Sequence, residues 1–548
     1  MGNQKKSTGF VLQGIILASA SIIVRLIGLV YRIPLTNILG DKGIALYGYA
    51  FEVYNIALLL SSYSLPLAVS KLVSARVVKG ERRNAYRVFK LAFLLATVVG
   101  FVVALIVFFG ADFIAGTIMK ADESAYALRV LAPCLFIVAI LGVMRGYCQG
   151  LGTTIPTAIS QILEQIVNAI ISIVAAYYLV QLGAEAALTS NNDMLSYAYG
   201  AAGGTLGTVT GALAALFFML FVFYSYRPII NKQMKREQNT TEEAYRNIFK
   251  ILIMTVVPVI FSTAIYNING ILDQSIYNNV MLAQGYTEDE YYVLWGMYSG
   301  KYKVLMNVPL GVSNAFAASV IPSLTAAAVA RNRKEMHAKI ALAIRMSMLI
   351  AIPSCVAFLI FAKPILDLLF SGDNTTASYI LMMGSLSVAL FCLSTITNGI
   401  LQGINRMSLP IKNAAKSLVI HLVFLILFLF VFKWHIYAVV LSSTIFALSM
   451  SILNAKAIRI HAKYHQEIEK TFLLPLASAA IMGAVSYAVY YGLQYIVSAN
   501  LSIIASMIIA IITYGIALIK TGALPEDDIY DLPKGAALVR LLNKLHLL

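Results

Sequence analysis

The chain repeats one element more than a dozen times: an apolar run of about twenty residues, bounded by short polar or charged loops. A helix rises about 1.5 Å per residue and the bilayer hydrocarbon is about 30 Å thick, so ~20 apolar residues span it. Of the 548 residues, 60% are hydrophobic and only 12% charged, where a soluble globule carries about a quarter charged. The sequence predicts an all-α polytopic membrane protein.

Fourteen spans are expected, beginning near Phe10, Ala45, Val88, Ala125, Ala158, Ala201, Ile248, Tyr291, Ala338, Tyr379, Leu409, Ile436, Leu473 and Leu501. The net charge of +16 does not indicate nucleic acid, because the basic residues sit in alternate short loops. Lys71 to Arg87, Arg227 to Arg246, Arg331 to Lys334, and Arg459 with Lys463 mark one side; Asp112, Asp122, Glu123, Glu185, Asp193 and Glu288 to Glu290 mark the other. Basic loops face the cytoplasm, which places both termini there.

Two motifs recur about 255 residues apart: Gly146–Gly150 with Pro156 as Gly399–Gly403 with Pro410, and Ser64-Leu-Pro66 as Val320-Ile-Pro322. Spans seven to twelve thus repeat one to six in the same orientation, a transporter arrangement of two six-helix lobes. The expected division is an N-lobe over 1–226, a basic linker over 227–247, a C-lobe over 248–460, two further spans over 461–522 and a cytoplasmic tail over 523–548. From Ala537 the tail reads as a short helix on the membrane surface or, equally, as a solvated tail. Lys5 and Lys6 before an apolar stretch imitate a secretory signal, but apolar sequence continues to Ile33, past the usual signal core.

Several chemistries are excluded. The cysteines, Cys134, Cys148, Cys355 and Cys392, form no CxxC pair, the histidines have no ligand spacing, and no phosphate-binding loop is present. Neither metal, cofactor, ATP motor nor enzyme is expected.

The charges inside the spans are more telling. Arg25 lies in the middle of the first apolar run, about 15 Å from its outer end. A guanidinium there costs roughly 2.5–3.5 kcal/mol or more and normally faces a protein interior or a water-filled path. Glu52, about 10 Å deep in the second span, is expected to hold it, and Arg32 stands near the outer boundary. If the eighth span starts near Tyr291, Lys301 matches the depth of Arg25 from the other half; if near Tyr298, Lys301 and Lys303 are interfacial anchors. Arg145, Glu164 and Gln165 read as an inner gate or fixed support, and Lys416 and His421, with Lys412 nearer the interface, as inward-facing groups. Asn267, Asn269 and Asp273 read as a weak cation site.

These residues resemble a known family. Arg25-Leu-Ile-Gly28 with Ile38-Leu-Gly40 resembles the first-helix signature of MurJ-type lipid II flippases. Arg145-Gly-Tyr-Cys-Gln-Gly150, Pro156, Ser160-Gln161 and Glu164-Gln165 are similar to the stage V sporulation protein B branch; Asn307-Val-Pro309-Leu-Gly311 through Ile321-Pro322-Ser323-Leu324 resembles the family's eighth span. The resemblance covers the whole chain. It implies two lobes around a cationic central cavity and a lipid-tail groove formed by the last two helices. Arg25 matches the first of the family's essential arginines; the second falls on Tyr31, beside Arg32, and a third is replaced by Leu58.

The expected function is a flippase that moves a polyprenyl-pyrophosphate-linked sugar, foremost lipid II, outward by alternating access. Alternatives are another lipid-linked oligosaccharide (capsule or teichoic type), a multidrug–cation antiporter, or a non-transporting envelope scaffold. The expected partners are the lipid-linked sugar, membrane lipids and cell-wall synthesis enzymes, with the chain acting as a monomer.

Overall fold

The first helix, α1 (Gly2–Leu58), folds back at Gly40, where φ is 66° and ψ 179°. Residues with a Cβ are essentially excluded from that backbone region, so a single glycine ends the first span and starts the second. The two arms touch, with the Arg32 guanidinium 5.2 Å from the centroid of the Tyr47 ring. Along an unbroken helix these residues would stand about 22 Å apart.

The computed structural model describes residues 2–63, 65–237 and 242–523, with side chains from Ile16 onward except Ala18, Tyr63, Pro322 and several within 258–266 and 316–319. The surface helix expected from Ala537 lies outside the described residues. A π-helical turn, Leu59–Tyr63, leads from α1 to α2 (Leu65–Val78). Then come α3 (Arg82–Phe109), α4 (Ser124–Gly150), α5 (Ile155–Ser190) and α6 (Met194–Lys235). Next are α7 (Tyr245–Asn267), α8 (Asn269–Ala283), α9 (Glu288–Gly296) and α10 (Lys303–Val329). The last six are α11 (Arg333–Leu369), α12 (Thr375–Gly403), α13 (Ser408–Phe430), α14 (His435–Ala462), α15 (Leu474–Gln494) and α16 (Ala499–Lys520).

Among the described residues, eleven helices are long and apolar enough to cross a membrane, the stretch Ser19–Val78 counting as one. The expected seventh and eighth spans depart locally from regular α-helix. The seventh is irregular at Ile268, between α7 and α8, where helical dihedrals and i→i−4 bonds nonetheless continue, and the eighth widens at a π-helical turn, Met297–Tyr302.

Two compact units result, residues 1–300 and 301–548. In the first, α2, α3, α4, α6 and α7 share an apolar core that includes Val69, Val88, Ala92, Leu141, Met219 and Ile248. Helices α5 and α6 meet along Gly203, Gly207 and Gly211, a small-residue stripe that allows close backbone approach. The linker is pinned by its acids rather than defined by its bases. Arg76 pairs bidentately with Glu243, Arg87 with Glu242, and the Glu237 carboxylate accepts from the Arg83 amide at 2.7 Å.

The second unit repeats that device. Arg345 on α11 pairs at 2.7 Å with Glu467, in the segment leaving α14, as Arg87 on α3 does with the segment leaving α6. Inside this unit Asn413, Asn454, Thr397 and Asn398 form a buried amide network. The Tyr302 hydroxyl shares a 2.6 Å hydrogen bond with Ser387, and the Tyr514 hydroxyl donates to the Leu349 carbonyl at 3.0 Å, tying α16 to α11.

Candidate functional site

Arg25, Arg32 and Thr36 lie within about 40° of one another around α1, at a spacing of seven and four residues. Arg25 is exposed and makes no hydrogen bond or ion pair among the described residues. Its exposure is not that of the lipid-type face: Leu26 and Val30, 56% and 65% exposed, lie about 100° and 140° round the helix. On its other flank Gly28 faces Gln165 of α5, whose Nε2 lies 3.2 Å from where a Cβ would stand. The stripe therefore runs between the α5 contact and the lipid-type face, and it ends at Thr36, whose hydroxyl reaches the Gly300 carbonyl at 3.4 Å.

Two turns from Arg25, Arg32 is held rather than snorkelling. Its guanidinium lies 5.2 Å from the Tyr47 centroid and 5.9 Å from that of Phe51. It also donates to the Tyr31 hydroxyl and interacts electrostatically with Glu52. The expected pairing of Glu52 with Arg25 does not form. Tyr47 and Phe51 are the residues that the second arm presents to the first, and Glu52 sits about 100° round from Phe51. Its carboxylate lies against Gly270 instead, with Cδ 2.9 Å and Oε1 3.1 Å from a Cβ built there.

Arg145, Glu164 and Gln165 do share one region. Arg145 on α4 pairs with Glu164 of α5 at 2.6 Å and donates to Ser160 at 2.9 Å. Glu164 and Gln165 are adjacent on α5, so one reaches toward Arg145 and the other toward Gly28.

In the second unit Lys301 is buried, 3% exposed, in the π-helical turn and interacts electrostatically with Asp373; Lys303 is half-buried. Helix α9 starts at Glu288, well before Lys301, while Lys303 is the first residue of α10. Lys416 is exposed, but His421 is wholly buried, its ring edge-on to Phe446 at 6.1 Å. Five residues are 140° of helix, so Lys416 and His421 cannot share a face. Of the cation-site residues, Asn269 and Asp273 stand one turn apart on α8, while Asn267 is exposed at the end of α7. Among the described residues no three His, Cys, Asp or Glu side chains gather as a metal would require.

Sequence reasoning missed a polar seam within the first unit. The π-helical turn Phe113–Ile118 and the left-handed Lys120 leave backbone carbonyls pointing outward, and α8 and α9 supply the donors. Ser275 donates to Ile118 at 2.8 Å, Asn278 to Met119 at 2.7 Å, and Tyr291 to Lys120 at 2.9 Å. The Tyr49 hydroxyl donates to Asn278 at 3.0 Å, and Lys42 pairs with Asp289 at 2.7 Å. Gln274, wholly buried beside this seam, has no hydrogen-bond partner for either amide atom among the described residues. Such groups hold ordered water in most proteins.

The rim of the seam is acidic. Partial burial and the neighbouring Glu123, Asp122 and Asp289 carboxylates raise the Glu288 pKa above its ordinary 4.5. A raised carboxyl means that the folded state binds more protons than the unfolded one in that window. Thermal stability in detergent is expected to rise as the pH falls from neutral toward 4.5, and Glu288→Gln is expected to flatten that slope. An unchanged slope in the variant would contradict the assignment.

The architecture defines a class: an all-helical, multi-pass membrane protein. The family model described as "Polysaccharide biosynthesis protein" matches residues 11–328, more than half of the chain, and the chain belongs to that family. A second model, MatE, matches residues 302–427. The chain is 25% identical over 498 residues to "Lipid II flippase MurJ" of Bacillus subtilis (strain 168), covering 88% of this chain and 89% of that one. It is 23% identical over 400 residues to "Stage V sporulation protein B" of the same organism, covering 73% and 74%. Among solved structures, a lipid II flippase MurJ in an inward closed conformation matches with a TM-score of 0.66 at 14% identity, over 92% of this chain and 98% of that one. An inward-facing multidrug resistance MATE family transporter of the MOP superfamily matches at 0.67 and 17% identity, over 82% and 98%. Both likenesses concern the fold.

Proposed function

We propose that this chain is a flippase for a polyprenyl-pyrophosphate-linked sugar, with lipid II the foremost substrate, moving it from the cytoplasmic to the outer leaflet of a bacterial plasma membrane. The observation that carries this reading is Arg25, exposed at mid-span and without a hydrogen bond or ion pair among the described residues, in line with an aromatic-held Arg32. A pyrophosphate presents oxygens that guanidinium groups bind bidentately. The apolar tail never needs to leave lipid, so only the headgroup requires a polar route. Outward movement of an anion is favoured by an inside-negative potential at about 2.3 kcal/mol per charge per 100 mV, so no nucleotide site is required. Alternating access carries the headgroup from one side to the other, with the chain working as a monomer beside cell-wall enzymes.

Tyr31 and Leu58, standing where lipid II flippases of this type carry arginine, favour a second substrate within the same class, another lipid-linked oligosaccharide. Complementation separates the two. Expression in a strain depleted of its lipid II flippase is expected to restore growth. Failure there, with restoration of a strain lacking a capsule or teichoic oligosaccharide flippase, would move the assignment to the second substrate. Orientation is tested by impermeant thiol labelling of intact cells. Asp122→Cys and Asp289→Cys are expected to react, and Arg82→Cys, Lys235→Cys and Arg333→Cys to be protected.

A further inference from the structure

We infer that Gln165 is a specificity-determining residue, reading the first sugar of the headgroup while Arg25 takes its phosphates. This rests on the transport reading above and names what the sugar side must offer. The group read is neutral and both donates and accepts hydrogen bonds, as an acetamido substituent does.

Helix α5 carries two polar pairs side by side near its start, and the fold uses only one of them. Ser160 and Glu164 face α4, where Arg145 donates to Ser160 at 2.9 Å and to Glu164 at 2.6 Å. Gln161 and Gln165 each follow one residue later, about 100° round the helix. Neither carboxamide makes a hydrogen bond among the described residues, and the Gln161 Oε1 is buried without a donor. Polar groups inside a span are costly and ordinarily bond across to a neighbouring helix; those that do not mark substrate paths. Two amides left over beside a pair fully used thus point to a partner from outside the chain.

Gln165 stands beside the arginine stripe. Its Nε2 lies 3.2 Å from a Cβ built on Gly28, so a side chain on residue 28 would crowd it. Further along, Leu39 and Val180 meet at Gly200, 2.9 Å and 2.5 Å from a Cβ built there. Positions rise on both helices between these two contacts, from 28 to 39 and from 165 to 180, so α1 and α5 run in the same direction. Counted back from the first contact, Arg25 lies about 4.5 Å nearer the start of α1 and Gln161 about 6 Å nearer the start of α5. Arg25 and the two glutamines therefore stand within about one turn of each other in height, with Arg25 about 60° round α1 from Gly28.

The chemistry separates the two roles. A guanidinium is charged and binds phosphate oxygens bidentately. A carboxamide is neutral and offers an acceptor beside its two donors. Against a phosphate only the donors would serve, and the acceptor would face anionic oxygen. A sugar substituent that donates as well as accepts uses both, and in a polyprenyl-pyrophosphate sugar such a group lies beyond the phosphates, since the tail carries none.

Binding to the full-length protein in nanodiscs tests this with three probes: undecaprenyl pyrophosphate, undecaprenyl-pyrophosphoryl glucose and undecaprenyl-pyrophosphoryl N-acetylglucosamine. In the unsubstituted protein the N-acetylglucosamine lipid is expected to bind about tenfold more tightly than the sugar-free lipid, as one or two neutral hydrogen bonds allow. Gln165→Met, near in shape and without polar atoms, is expected to remove that gain; Gln165→Leu serves in its place should the methionine variant not fold. Arg25→Ala is expected to weaken all three probes by a common factor and to leave the gain. A glucose lipid as tight as the N-acetylglucosamine lipid would identify a ring hydroxyl as the group read, and a weaker one the acetamido group; both support the assignment. Equal binding of sugar-bearing and sugar-free lipids, retention of the gain without Gln165, or an equal loss for all three probes in Gln165→Met overturns it and leaves the transport reading standing. Failure of all three probes to bind the unsubstituted protein overturns both.

Discussion

Arg25→Ala is expected to abolish transport while leaving the chain folded and inserted. Arg25 makes no hydrogen bond or ion pair among the described residues, so its removal breaks nothing internal and relieves the span of a costly charge. What it removes is one charge-assisted contact to the headgroup, about 3 kcal/mol, or more than a hundredfold in affinity. Arg25→Lys keeps the charge without the planar fork and is expected to retain partial activity. The check is complementation beside membrane expression and thermal stability in detergent. Full activity from well-expressed Arg25→Ala would remove the stripe from the substrate path.

Arg145→Ala is the converse case: a loss of structure first and of transport in consequence. The Arg145 and Glu164 side chains are 13% and 28% exposed, and Arg145 also anchors Ser160. Removing one partner of such a pair leaves an uncompensated carboxylate and costs about 3 kcal/mol. The double variant Arg145→Ala with Glu164→Gln is expected to recover much of the melting temperature, because no buried charge is then stranded. If the single variant melts like the unsubstituted protein, the pair is not the strut that joins α4 to α5.

How much was legible in the sequence depended on whether the determining contact was local. The helical class followed from run length, and Arg145, Ser160 and Glu164 were findable because they flank one short connection, with Ser160 and Glu164 on one face of α5. The helical period also held the answer for His421. Nine residues from Lys412 are 180° of helix, which separates an exposed lysine from a buried ring. Glu52 was read by depth alone, and depth does not fix direction, since Gly270, its actual neighbour, lies far along the chain. The seam of α8 and α9 on the Ile118–Lys120 carbonyls left no pattern either. Tyrosine and asparagine donors to backbone carbonyls impose no requirement on the identity of the accepting residues. The linker misled in another way. Its bases dominate the composition, but its acids, Glu237, Glu242 and Glu243, make the contacts.

The central claim is that the chain moves a pyrophosphate-linked polyprenyl sugar across a bilayer through the Arg25–Arg32 stripe. The most direct measurement is flipping in proteoliposomes of the purified full-length protein, with lipid II and a second polyprenyl-linked oligosaccharide in parallel. Accessibility of the headgroup at the outer surface is read by enzymatic modification. The account predicts flipping of at least one of these lipids that is accelerated by an inside-negative potential and lost in Arg25→Ala. Absence of flipping for both lipids by active, correctly folded protein, or equal rates for the unsubstituted protein and Arg25→Ala, would contradict it.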